Sequence, residues 1–312
     1  MKLLYIGIKF YDYHIKVRNA FEDLGYKVDF VSISCDGLRN SFMRKIKRDF
    51  LEKFYSSIEA KILESCVNQN YDVIFVHQGW QLSVDFFKTM KAQNKGTFIV
   101  NYHWDSIRAH NYLFIVDYFD KVYSYDPVDC RTYAKIFYLP LFHSNHSEPV
   151  QKHLDLVFIG KLRTFYSRYK SIEAIREYAK DKGLKYFEYL LTDRNYYIKS
   201  LLKGRVLRGV KFKPLDSIQV ARLNRSALAV LDIHDPIKSG LTIRSIEALS
   251  AGAKLITTNH EVINEAFYDP EVVQVVDINK LVIDLEWIRK EVPCVNMDSY
   301  SLKSWAVNIL TK

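Results

Sequence analysis

The chain is expected to fold as an α/β protein built from two doubly wound domains. Three observations predict this. Short apolar runs alternate with helical patterns along the whole length. The alternation halts once, at a polar segment near the middle, and then restarts. The length of 312 residues suits two domains of roughly 150 residues, each with its own core.

In the first half, Leu3 to Ile8 reads as a buried strand and Val17 to Leu24 as a helix closed by Gly25. Val28 to Ile33 is the next strand, followed by a long helical stretch from Phe42 to Val67. Val73 to His77 (strand), Val84 to Ala92 (helix), Phe98 to Tyr102 (strand), Lys121 to Ser124 (strand) and Phe137 to Leu141 complete the series. The linker is His143 to His153, HSNHSEPVQKH, which is polar and lacks an apolar period. A second series follows. Its strands are Leu154 to Ile159, Phe187 to Leu191, Val206 to Val210, Ala227 to Ile233, Lys254 to Thr257 and Val272 to Val276. Its helices are Ser171 to Ala179, Ile218 to Leu223, Ile243 to Ser250 and a last one near Leu302 to Leu310. The domains are therefore 1–147 and 148–312, with the terminal helix, about 299–312, a candidate to pack back on the N-terminal domain. Strands alternating with helices imply parallel sheets covered on both faces, and ligands gather at the carboxyl ends of such strands. Two such domains would face each other across a cleft.

A hydrophobic content of 48% and a charged content of 26% fit an ordinary globular chain. The formal net charge is +9, which admits nucleic acid, an anionic membrane surface or a phosphorylated substrate as partner. The densest basic run is Arg39 to Lys53. Its apolar members Phe42, Ile46, Phe50, Leu51 and Phe54 recur at helical spacing. It reads either as a solvated helix face or as a basic amphipathic helix meeting the membrane surface. Cys35, Cys66, Cys130 and Cys294 form no CxxC pair, so a zinc site is not expected and a reducing, cytoplasmic setting is. No apolar run reaches the length of a membrane span, and the apolar stretch at the N-terminus is too short for a signal peptide.

The segment Leu231 to Asn259, LDIHDPIKSGLTIRSIEALSAGAKLITTN, carries the most chemistry. A strand leads through a polar loop into a helix starting near Thr242. Such a junction offers unsatisfied N–H groups and a positive dipole end to a diphosphate. Gly240 would let the backbone come close to it. Arg244 and Glu247 are three apart and share a helix face. They read either as a phosphate cation beside a ribose-binding carboxylate or as an ion pair on an exposed turn.

SGLTIRSIEALSAGAKLITTN resembles the donor-site motif of retaining GT-B glycosyltransferases, E-G-F-G-x-x-x-x-E-A-x-A-x-G-x-P-V-I. It is more similar still to spore-maturation glycosyltransferase-like proteins and to bacterial lipopolysaccharide and capsule transferases, with G-L-T-x-R-x-x-E-x-L-x-x-G-x-K-L-I-T-T-N. The resemblance implies a GT-B fold and a nucleotide diphosphate sugar as donor. It implies that Glu247 binds the ribose and that Ser239, Gly240, Leu241, Thr242 and Arg244, with Gly160 and Arg163 ahead of them in the chain, lie along the rest of the donor. Ser239 stands where most of the family has its first Glu, so that residue's sugar contact does not transfer.

Two further segments match. VFIGKLRTFYSR, Val157 to Arg168, resembles the segment opening the C-terminal domain, with Gly160 at a strand end and Lys161, Arg163 and Arg168 in a loop after it. The family uses basic residues here to neutralise the departing diphosphate, whose charge grows as the sugar leaves. Ordinary loop charge is the alternative for any one of them. GTFIVNYHWDS, Gly96 to Ser106, looks like the family's strand-end H-D element, where His103 and Asp105 would face the sugar or the acceptor hydroxyl; Asp105 is the candidate base if the transfer inverts, and His103 is alternatively structural. Nearby Trp80 and Trp104 either stack on sugar faces or belong to the core, and Tyr11 to His14 is another candidate acceptor-side loop.

No Asp-x-Asp motif sits at a strand end, and the family typically needs no divalent metal, so neither metal nor cofactor is expected. The first strand lacks G-x-G-x-x-G, which argues against NAD(P) binding. No helix-turn-helix, RNA-binding aromatic signature or zinc finger is visible, so nucleic acid is not an expected partner. The expectation is a glycosyltransferase acting on a saccharide or lipid-linked acceptor in bacterial surface polysaccharide synthesis, cytoplasmic or peripheral on the inner face of the anionic membrane. The competing readings are a GT-B nucleotide-sugar 2-epimerase and a non-catalytic nucleotide-binding scaffold.

Overall fold

The computed structural model describes residues 1–34, 48–144, 150–162, 166–235, 237–278, 282–291 and 295–312. Residues 39–47 of the basic run, Arg163, Cys35, Cys294 and the middle of the polar linker lie outside these. The chain forms two compact units. The first takes Met1–Leu141, Pro236–Gly240 and Ser301–Lys312; the second takes Phe142–Asp235 and Leu241–Tyr300. The first crossing falls ahead of the polar segment. His143 anchors it, donating its N–H to the Tyr300 carbonyl at 2.9 Å and placing Nε2 3.0 Å from the Met297 carbonyl.

The first unit runs β1 (Lys2–Gly7), α1 (Tyr13–Asp23), β2 (Lys27–Ser32), α2 (Arg48–Asn68), β3 (Val73–His77), α3 (Val84–Gln93), β4 (Phe98–His103), a short 3-10 helix (Leu113–Tyr118), β5 (Lys121–Ser124), α4 (Pro127–Thr132) and β6 (Ile136–Tyr138). Its six strands lie in the order β2-β1-β3-β4-β5-β6, and every pair is parallel. β3 and β4 are buried throughout, as central strands covered on both faces must be. Turn chemistry fixes the helix starts. The Ser83 hydroxyl accepts the Phe86 N–H, and Asp126 caps α4 with Pro127 behind it at the first helical position. The order reverses between β1 and β3, which is this sheet's topological switch point.

The C-terminal helix, Leu302–Leu310, is part of this unit. Trp305 is 3% exposed and packs edge-on against Tyr102, 5.0 Å between ring centroids, with Phe75 and Phe21 also beside it. The Tyr123 hydroxyl donates to the Asn308 carbonyl at 2.9 Å.

The second unit runs β7 (Leu154–Leu162), α5 (Tyr166–Asp181), β8 (Tyr186–Thr192), α6 (Arg194–Leu202), β9 (Val210–Lys211), α7 (Ser217–Ser226), β10 (Ala227–Asp232), α8 (Ile243–Ser250), β11 (Lys254–Thr257), β12 (Val273–Val275) and α9 (Leu285–Arg289). Its parallel sheet has the order β9-β8-β7-β10-β11-β12. That is the 3-2-1-4-5-6 order of dinucleotide-binding folds, with the switch point between β7 and β10.

Several boundaries differ from the sequence reading. β7 continues through Gly160 and Lys161 to Leu162, and α5 starts at Tyr166, so Arg168 lies in a helical turn rather than a loop. The buried apolar stripe Tyr169, Ile172, Ile175 and Ala179 begins two residues ahead of the expected helix and carries the helix back with it. The strand expected at Val206 to Val210 begins only at Val210, and Val206 is 57% exposed. α6 was not expected; its start is set by Asp193, whose carboxylate accepts the Tyr196 N–H at 2.7 Å.

Candidate functional site

In the second unit, the residues singled out in the sequence collect at the switch point. Arg168, on the first turn of α5, reaches over the ends of β7 and β10. It donates from Nη2 to the Ile233 carbonyl at 2.8 Å and from Nη1 to the Lys161 carbonyl at 3.4 Å. Its Nε is buried with no hydrogen-bond partner among the described residues. Burial, and then the charge of Arg244, pull its pKa below the ordinary value, against the opposing carboxylates of Asp232 and Asp235. Two guanidinium groups thus stand near each other over one sheet end.

Gly160, a candidate donor-side residue, lies inside β7 rather than at its end. A Cβ there would come within 2.4 Å of the Phe158 ring, so the glycine makes room for a core aromatic.

The helix α8 begins at Thr242, whose hydroxyl accepts the Ser245 N–H. The first N–H groups of such a helix have no partner within it and point out of its end with positive polarity. The anchor of this junction is Asp232, fully buried at the last position of β10. Asp232 accepts the Thr242 hydroxyl at 2.9 Å and the Ser245 hydroxyl at 2.7 Å, and its Oδ1 lies 3.6 Å from Arg244 Nη1. The sequence reading missed Asp232. Its signal was present: an Asp ending a strand, with hydroxyl residues 10 and 13 positions later. Beside it, His234 shares the Thr258 hydroxyl through its N–H and through Nδ1, at 3.0 and 2.9 Å.

Glu247 lies one turn further along α8 and is only 7% exposed. The reading of Arg244 and Glu247 as an ion pair on an exposed turn therefore fails. Arg244 takes Asp232 as its charge partner, and Glu247 is a buried carboxylate on a helix whose start faces the strand ends.

The first unit gathers a second polar group at the ends of β3 and β4. His103 is fully buried, stacked on Tyr112 at 3.5 Å, with Nδ1 3.2 Å from the Gln78 Oε1. The amide nitrogen of Gln78 donates to Asp105 at 3.0 Å, and Gln78 adopts a left-handed backbone with φ 71 to reach both. Asn101 holds that turn by donating to the Val76 and Gln78 carbonyls. Burial brings His77 down to about 3; burial, then the nearby His77 and His110, hold His103 well below the usual histidine value. Both rings are therefore neutral at physiological pH. Trp104 meets His77 edge-on at 3.9 Å and joins an aromatic group with Phe10 and Tyr13, while Trp80 stacks on His110 at 4.2 Å. Phe10 and Tyr11 are about half exposed at this rim.

Segment 237–240 belongs to this first unit. Lys238 pairs with Asp105, the Ser239 N–H donates to Asp126 at 2.9 Å, and Arg108 donates to the Ser239 hydroxyl. A Cβ on Gly240 would meet the Tyr125 ring and carbonyl at 2.5 Å, so its lack of a side chain serves that contact. Of the residues assigned to the donor, Ser239 and Gly240 are thus held by Asp126, Arg108 and Tyr125, while Leu241, Thr242, Arg244 and Glu247 sit in the second unit. Asp105, the candidate base, is charge-paired with Lys238. Among the described residues no group of three or more His, Cys, Asp or Glu side chains is placed to hold a metal ion.

No protein-family model and no curated protein sequence matches the chain. Solved structures do. An alpha-glucosyltransferase in complex with UDP and a 13-mer DNA aligns over 99% of this chain and 95% of its own, with a TM-score of 0.60 and 11% identity. A trehalose-6-phosphate synthase aligns over 99% and 98%, with a TM-score of 0.62 and 12% identity. The lipopolysaccharide outer core galactosyltransferase WaaB aligns over 99% and 95%, with a TM-score of 0.54 and 14% identity. Likeness at this level of identity establishes the architecture: two α/β units with parallel sheets, as in the GT-B glycosyltransferases.

Proposed function

We propose that the chain is a glycosyltransferase that takes a sugar from a nucleotide diphosphate donor, without a metal ion, and passes it to a saccharide or lipid-linked acceptor of a bacterial surface polysaccharide. One observation carries the reading. At the switch point of the second sheet, Arg168, Arg244 and the start of α8 lie around one strand end, with Glu247 buried on the same helix. Transfer of a glycosyl group breaks the bond between the anomeric carbon and the diphosphate oxygen, and charge grows on that oxygen. Cations and helix N–H groups already aimed at it lower the barrier, and a fixed arrangement needs no reorganisation at the moment of reaction. A buried carboxylate on α8 suits the two ribose hydroxyls of the leaving nucleotide. If the transfer inverts, Asp105 is the candidate to accept the acceptor's proton, which requires Lys238 to give way to the hydroxyl.

The WaaB likeness and the motif Gly240 to Asn259 support a polysaccharide acceptor. Among the described residues no helix is long and apolar enough to cross a membrane, and the basic run Arg39 to Lys53 is the segment through which a peripheral contact would be made.

A panel of nucleotide sugars tests the reading by thermal shift. A true donor at a hundredfold its dissociation constant stabilises by about 2.7 kcal/mol. Glu247→Gln then weakens the matching nucleotide by about 1–3 kcal/mol, the scale of a hydrogen bond to a charged group, while leaving the 2′,3′-dideoxy nucleotide nearly unchanged. Calorimetric titration of both nucleotides measures this, and equal losses for both refute the ribose role. A panel in which nothing binds refutes the enzyme reading.

A further inference from the structure

We propose that Asp232 is the positioning residue of the diphosphate site, acting through Arg244 and through the first turn of α8. The inference rests on the donor-binding reading above.

Asp232 is fully buried, and a buried carboxylate is tolerated only when its charge is compensated and its oxygens are occupied. Here one oxygen, Oδ2, accepts both the Thr242 and the Ser245 hydroxyls. Those residues are the cap of α8 and a residue of its first turn, so the pair fixes where the helix begins and where its leading N–H groups aim. The other oxygen, Oδ1, is buried with no hydrogen bond and stands 3.6 Å from Arg244 Nη1. Arg244 is therefore held by charge, without a direct hydrogen bond to Asp232. Its side chain is 25% exposed, open to an incoming anion.

Arg168 makes this placement necessary. Two guanidinium groups near one sheet end repel each other, and Arg168 is already fixed by the Ile233 and Lys161 carbonyls. Without a buried negative charge between strand and helix, Arg244 would swing toward solvent and the site would lose a cation at the position where phosphate charge collects. Asp232 thus sets the geometry of a site that it need not touch. Replacement by Asn, with its amide oxygen at the Oδ2 position, keeps the acceptor for both hydroxyls and the side-chain volume but removes the charge facing Arg244, so the defect should fall on the diphosphate and spare the nucleoside.

The experiment uses the whole chain. UDP, GDP, ADP, CDP and dTDP are titrated into the wild type by calorimetry; if none binds, the donor-binding reading fails and this inference fails with it. With the diphosphate that binds, Asp232→Asn is expected to weaken affinity about tenfold or more, the equivalent of one hydrogen bond or ion pair to a charged group. The matching nucleoside should change by less than about threefold, a split that general loosening of the fold would not produce. In a double-mutant cycle, Arg244→Gln and Asp232→Asn should lose less together than the sum of their separate losses, because one residue acts through the other. Thr242→Val, which removes one hydroxyl from the network, keeps the test open if Asp232→Asn fails to fold; it should show the same diphosphate-selective loss, smaller in size. Wild-type diphosphate affinity in a folded Asp232→Asn or Thr242→Val variant, or strict additivity with Arg244→Gln, overturns the proposal.

Discussion

At the scale of single residues, burial decides what each polar group does. His77 and His103 are kept neutral by the interior of the first unit. Their pKa values are lower in the folded chain than in the unfolded one, so the unfolded state binds more protons as the solution is acidified. Stability from this source is complete above about pH 6.5 and falls as the pH drops toward 3. The slope reaches at most about 1.4 kcal/mol per pH unit for each histidine. Urea unfolding between pH 7 and pH 5 measures it. His77→Gln should flatten that slope, and an unchanged slope would mean that the ring takes up protons alike in the folded and unfolded states. Arg168 gives a second case. Loss of a loop cation that only neutralised the departing diphosphate would be expected to cut turnover more than stability. The contacts to Ile233 and Lys161 change that expectation, because Arg168→Ala leaves two carbonyls at the strand ends without their donor. It should lower stability by about 1–3 kcal/mol as well as turnover. Arg168→Lys should rescue neither fully, since one ammonium cannot copy a planar fork. Full turnover in a stable Arg168→Ala variant removes Arg168 from both roles.

At the scale of elements, the C-terminal helix is the clearest example of packing overriding chain order. Leu302–Leu310 follows the second unit in sequence but belongs to the first, because Trp305 fills a space among Phe21, Phe75 and Tyr102. Trp305→Ala should cost about 3–5 kcal/mol, the usual price of deleting a buried large aromatic. Denaturant melts followed by circular dichroism read this. A cost under about 1 kcal/mol would mean that the helix is not part of that core. The basic run is the opposite case, a segment judged on pattern alone. Lys/Arg-to-Gln changes between Arg39 and Lys53 should weaken binding to anionic vesicles, and added salt should do the same. Equal binding to neutral and anionic vesicles reduces the run to a solvated helix face.

At the scale of the molecule, the fold and the chemistry are coupled through the sheets. Each parallel sheet has one switch point, and each polar cluster described above stands at carboxyl ends of its strands. In the second unit the switch point between β7 and β10 lies where Arg168 ties the two strand ends together. Ligand binding there should stiffen the unit as a whole, since α5, α8, β7 and β10 all contribute to it. Hydrogen exchange with and without a bound nucleotide should show protection spread over these four elements, and protection confined to α8 would contradict it.

Local pattern is enough to read the alternation of strand and helix, and with it the parallel sheets. Apolar runs such as Leu3 to Gly7 and Val73 to Val76 bury on both faces in any such fold, and their order along the chain leaves few topologies. It also marked the segment from Thr242 to Thr257, because capping and periodicity are local and readable. What the marked residues touch is set by packing between distant parts of the chain. Whether Gly160 and Gly240 make room for a ligand or for a ring depends on Phe158 and on Tyr125, the latter more than a hundred positions away. Whether Glu247 is wet or buried depends on how α8 packs on its sheet. Asp232 is one more Asp in the sequence, and it becomes an anchor only when β10 ends beneath α8 and puts two hydroxyls and a guanidinium around it. Local pattern fixes elements because neighbours in sequence set backbone preference and amphipathicity. Contacts between residues far apart in the chain fix roles, because charge and burial are properties of the surroundings that folding assembles.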